Sequence, residues 1–94
     1  MIVPMAHPNL RQAVELLAAG DWQAAHEIVQ EDQSLFAAWL HGIVHTIEGD
    51  FDNARYWYGQ AGRAFRGPEA VQEEITAARE SAVSSEDETD RPRN

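Results

Sequence analysis

The sequence predicts an all-α fold: two helical hairpins and a capping fifth helix. Three observations carry this. One phrase occurs twice, as Gly20-Asp21-Trp22-Gln23-Ala24-Ala25 and Gly49-Asp50-Phe51-Asp52-Asn53-Ala54, 29 residues apart. Apolar residues recur at helical spacing in five segments separated by short polar or Gly-containing breaks. No segment shows the alternation of a strand. A repeat at such a period marks stacked helical units, each burying its apolar face against the next.

Pro8 suits the first turn of the first helix, where Leu10, Ala13, Val14 and Leu17 share a face. Gly20 ends it by taking a left-handed cap. Asp21 caps the second helix, with Trp22, Ala25, Ile28 and Val29 on one side. The run Glu31-Asp32-Gln33-Ser34 breaks the pattern and offers new caps. The third helix is expected over about Leu35 to Glu48. Its apolar residues Leu35, Phe36, Ala38, Trp39, Leu40, Ile43, Val44 and Ile47 cover most of its circumference. A helix apolar all round is covered on more than one side, so this is the expected central element. Gly49 ends it and Asp50 caps the fourth, whose face carries Phe51, Ala54, Trp57, Tyr58 and Ala61.

Gly67-Pro68 opens the fifth helix, with Glu69, Glu73 and Glu74 in the first turns, where the helix dipole favours anions. Val71, Ile75, Ala78 and Ala82 form its narrow apolar stripe. The domain is expected to span residues 1–82. Residues 83–94, rich in Ser, Glu and Asp without apolar periodicity, read as a disordered acidic tail, a candidate for phosphorylation or docking.

A 29-residue shift also pairs Leu10 with Trp39, Ala13 with Gly42, Val14 with Ile43, Ile28 with Trp57 and Val29 with Tyr58. This pattern resembles the tetratricopeptide repeat. That family places a bulky then a small residue on its first helix, Gly and an aromatic at the turn, and Ala and a bulky residue on its second. The second copy carries Trp39, Gly42, Gly49, Phe51, Ala54, Tyr58 and Ala61; the first carries Leu10, Ala13, Gly20, Trp22, Ala25 and Val29. Small residues at Ala13 and Gly42 are expected to admit a close partner helix opposite Ala25 and Ala54. The family period is about 34 residues; here the first copy is cut back after Val29, and the usual Pro at the repeat end is absent. The run Trp39-Leu40-His41, His45, Glu48-Gly49-Asp50, Asn53-Ala54-Arg55-Tyr56-Trp57-Tyr58 and Gly62-Arg63 is also similar to a group of small bacterial and fungal proteins with no assigned activity.

The tetratricopeptide resemblance implies a right-handed α-α stack. It also implies a non-enzymatic module that binds a protein or peptide partner, without a cofactor, through the groove side of the first and third helices. Leu10, Val14, Phe36, Trp39 and Ile43 are the expected partner-binding residues. With about two and a half units, either the fifth helix closes the apolar face of the third or a second subunit does, and the apolar surplus at Phe36, Trp39, Ile43 and Ile47 leaves room for a weak homodimer.

The alternative is a small metal-binding protein or metal-dependent enzyme. His41 and His45 stand four apart and Glu48 three later, one stripe on a helix, with His26 on the preceding helix as a possible fourth member. Two imidazoles and a carboxylate at that spacing suit a divalent metal. The competing reading is a packed, hydrogen-bonded set of core histidines. Asp50, Asp52 and Glu48 read first as a helix cap and its neighbours.

The net charge of −9 argues against binding to nucleic acid or anionic membranes. It outweighs the interleaved Arg55, Tyr56, Trp57, Tyr58, Arg63 and Arg66, of which Tyr56 is expected to be exposed. Cys is absent, excluding thiolate chemistry and disulfides. Nucleophile-elbow, phosphate-loop and zincin motifs are likewise absent, and Ser34 and Ser81 have no neighbouring base in sequence. With no secretory signal or apolar span, the expected location is cytoplasmic.

Overall fold

The computed structural model describes residues 8–90, and side chains over 10–82. The described residues form five α-helices: α1 (Pro8–Ala18), α2 (Trp22–Val29), α3 (Leu35–Glu48), α4 (Phe51–Gln60) and α5 (Val71–Asp90). A short 3-10 turn, Pro68–Ala70, leads into α5. The fold is all-α, as expected, and no strand occurs among the described residues.

The repeated phrase builds the same turn twice. Gly20 and Gly49 take φ of 90° and 91°, a left-handed conformation that costs glycine little. The amide of Asp21 donates to the Leu16 carbonyl at 2.8 Å, and that of Asp50 to His45 at 2.9 Å. Each Asp then turns its carboxylate to the next helix, accepting from the amides of Ala24 and Asn53. Ser34 caps α3 in the same manner, through the amide of Ala37.

These turns fold α1 onto α2 and α3 onto α4, and α2 packs against α3 to join the pairs. The central helix is α3, which touches all four others. Its consecutive residues Ala37 to Val44 are all buried, matching its all-round apolar pattern. Leu35 departs from that pattern at 69 % exposed, because it lies in the first turn, before the packed section. Phe51 begins α4 in the same way and is exposed, meeting Phe65. Gly42 admits the ring of Tyr58 so closely that a Cβ there would overlap it. The close approach expected at this glycine is therefore made by an aromatic ring.

The shared side of α1 and α3 is covered by α5. Ile75 and Ala78 enter one core with Leu10, Val14, Leu17, Trp39 and Ile43. The backbone of α5 continues past Val83, where the sequence reading ends the domain. No Gly or Pro interrupts the chain before Pro92, and each added helical residue gains a hydrogen bond. The expected tail thus begins as a helical extension. Its last four residues, and the first seven of the expected domain, lie outside the described residues. No described helix is long and apolar enough to cross a membrane.

Candidate functional sites: a carboxylate hub and a histidine cluster

The shared side of α1 and α3, which faces α5, holds the expected partner-binding residues. Leu10, Val14, Trp39 and Ile43 are buried, and Phe36 is half-buried against the same core. This corrects the expectation of an open groove: the apolar residues are closed off by the chain's own α5. The same helix covers Trp39 and Ile43, while Phe36 and Ile47 pack partly against the core, so the surplus assigned to self-association is largely internal.

At the centre of this side stands Glu74, 6 % exposed. The indole Nε1–H of Trp39 and the hydroxyl of Tyr58 both donate to its Oε1 at 2.8 Å. Arg66 donates to Oε2 through Nε at 3.2 Å and Nη2 at 2.7 Å. Arg63 lies over the Trp39 ring, 3.5 Å from its centroid. Burial alone would raise the pKa of Glu74, but the bonds from Arg66, Trp39 and Tyr58 outweigh it and hold the carboxyl below its ordinary value. Burial, followed by the bond to Glu74, raises the Tyr58 pKa, keeping the phenol a donor. Sequence reasoning treated Glu74 as a dipole-placed anion. Its position between Val71 and Ala78, beside Ile75 on the apolar stripe, was the available signal that it faces inward.

The opposite cluster joins α2 and α3. His26 meets His41 with ring centroids 4.8 Å apart and His45 at 5.4 Å. His41 and His45 stack at 5.0 Å, one helical turn apart. One nitrogen from each of the three lies within 4.8 Å of the others. Trp57 of α4 lies flat on His41, 4.0 Å between centroids and 5° between planes. Glu48 Oε1 stands 2.8 Å from Nδ1 of His45. A carboxylate only accepts, so the bond places the proton on Nδ1 and leaves the lone pair on Nε2 of neutral His45. Burial, then the charges that His26 and His45 would carry, push the His41 pKa down to about 4.

The structure therefore brings His41, His45 and His26 together and sets Glu48 behind His45 as its hydrogen-bond partner. Asp50 is near His45 and Glu48, but its carboxylate accepts from the Asn53 amide and side chain, as a cap does. Of the aromatic–Arg set, Tyr56 is 55 % exposed as expected, while Tyr58 and Arg66 belong to the Glu74 hub. A separate open cleft of about 470 Å³ lies between the α1–α2 turn, the end of α3 and the start of α5. Glu69 is its sole ionisable lining residue, and the hydroxyl of Thr46 there is committed to the Gly42 carbonyl. Comparison of the chain with protein-family models, curated proteins and solved structures finds no match, so the reading of both sites rests on their own geometry.

Proposed function

We propose that the chain is a non-enzymatic interaction module of the tetratricopeptide-like type, and that the side of α1 and α3 covered by α5 is a helix receptor. The observation that carries this reading is the manner in which α5 is held. Among its described side chains Glu74, Ile75, Ala78 and Ala82 are buried, so Ile75 is the one large apolar anchor among them. Specificity comes instead from a single carboxylate read by Trp39, Tyr58 and Arg66. An indole, a phenol and a guanidinium around one acid recognise a charge at a defined place along a helix.

The partner this surface fits is an amphipathic helix with an acidic residue at the place Glu74 occupies and apolar side chains at the places of Ile75, Ala78 and Ala82. Attachment in cis gives α5 the advantage of a high effective concentration.

The test is binding in trans. In the full-length variant Ile75→Asp, Ala78→Asp the helix α5 is repelled from its seat. A labelled peptide covering Pro68 to Asp90 should then bind this variant by fluorescence anisotropy, and not the parent chain. The same peptide carrying Glu74→Ala should bind neither. A variant that loses its helical circular dichroism and binds no peptide would show α5 to be an integral part of the core and end the receptor reading.

A further inference from the structure

The cluster of His26, His41 and His45 lies on the other side of α3 from the α5 seat and plays no part in the helix-receptor reading. Three imidazoles are an unfavourable choice for filling an interhelical seam. Each carries two nitrogens that need partners. Their arrangement has a second meaning as a donor set. One nitrogen from each ring already falls within 4.8 Å of the other two.

We propose that His26, His41 and His45 bind one late first-row divalent cation, with Zn²⁺ as the reference metal. Three nitrogens on a tetrahedral Zn²⁺ stand about 3.3 Å apart, given Zn–N bonds near 2.0 Å. Closing the triad takes a shift of about 1.5 Å, within the reach of imidazole rotation about χ1 and χ2. The donors come from two elements: His41 and His45 present one turn of α3, and His26 approaches from α2. His26 is half-buried and the His45 side chain is 12 % exposed, which leaves an approach from solvent.

Surrounding contacts prepare these donors for a cation. Glu48 holds Nδ1–H of His45, the outer-sphere carboxylate arrangement that fixes the tautomer and orientation of a ligating imidazole. Trp57 fixes the plane of His41. His26 and His45 also lie in the last turns of α2 and α3, where the helix dipole favours positive charge.

The donor set selects the class of metal. Neutral imidazoles suit zinc, copper, nickel and cobalt; magnesium and calcium require oxygen. Three protein ligands leave a coordination position for water or an external ligand. Glu48 is a positioning residue, acting on the metal through His45.

The test uses the full-length chain after treatment with chelator, titrated with Co²⁺ and then displaced with Zn²⁺. One equivalent of Co²⁺ should give the intense visible absorption of a low-coordinate site, and one equivalent of Zn²⁺ should bleach it. X-ray absorption at the zinc edge should show three histidine ligands. His26→Asn and His45→Asn should each weaken binding by about 100-fold or more, and Glu48→Gln by roughly 10- to 100-fold, with unchanged helical circular dichroism. Absence of stoichiometric Co²⁺ or Zn²⁺ binding by the parent chain overturns the proposal. So does binding that His26→Asn leaves intact, or a zinc spectrum with fewer than three imidazoles. Should either His variant fail to fold, the titration and the ligand count on the parent chain still decide.

Discussion

On the side of α3 that faces α5, three donor groups from α3, α4 and the following loop converge on the Glu74 carboxylate, and both of its oxygens accept. On the side that faces α2 and α4, three rings of one chemical type converge on each other, with the Glu48 carboxylate bonded to one of them at the edge. The first arrangement joins unlike groups and is complete within the chain. The second joins like groups, which disfavour one another's charge and offer lone pairs together. Burial is similar at Trp39 and His41, at 3 % and 6 % exposed, so burial does not set the two sides apart. The chemistry of the neighbours does.

The largest effect should come from emptying the first side. Trp39→Ala removes a buried indole, the donor to Glu74 and the platform under Arg63. A loss of about 3–5 kcal/mol in denaturant unfolding is expected, in contrast to the small change an exposed binding residue would give. Next is acid, acting on the second side. Because the His41 pKa falls from its usual value near 6.5 to about 4 on folding, the unfolded chain takes up the proton first. Stability is therefore present above pH 6.5 and is lost as pH falls through that window. The loss is about 3 kcal/mol by pH 4, in chelator-treated protein. Urea midpoints measured across the window check it, and a His41→Gln variant should show a flatter profile.

A smaller effect is expected at Gly42, on the seam with α4. A methyl there meets the Tyr58 ring, so Gly42→Ala should cost about 1–3 kcal/mol by forcing α3 and α4 apart. Thermal denaturation checks it; a melting point equal to the parent's would show that Tyr58 can swing aside. The smallest effect belongs to the rim of the first side. Arg79 makes two bonds to Glu15, at 2.6 and 2.9 Å, but both groups are solvated. Arg79→Ala should leave the melting point unchanged at physiological salt, because exposed pairs are weak and screened.

These two sides were not equally legible in the sequence. The bounds of α3, the paired turns at Gly20 and Gly49 and the burial of Ala25, Val29, Ala54 and Tyr58 all follow from local spacing and capping chemistry. His41 and His45 were readable as a pair for the same reason, since a helix fixes their separation. The arrival of His26 depends on how α2 packs on α3, which no local rule determines. Glu74 was the harder case. Its partners Trp39 and Tyr58 lie 35 and 16 residues away, and helix-dipole placement gave its charge a sufficient local explanation. The seat of α5 was only half legible, for the same cause. The apolar excess of α3 was visible, but the element that covers it was a choice between a partner and the chain itself.

The long reach of α5 also has a kinetic side. Each hairpin closes through near neighbours, whereas α5 must return to α1, where Arg79 meets a residue 64 positions earlier. Contacts between distant residues carry the largest loop-closure cost and form late. The order of assembly expected from this is two hairpins first and docking of α5 on α1 last. On the way back, α5 is the segment whose amides should exchange with solvent earliest, while those of α3 wait for the whole domain to open.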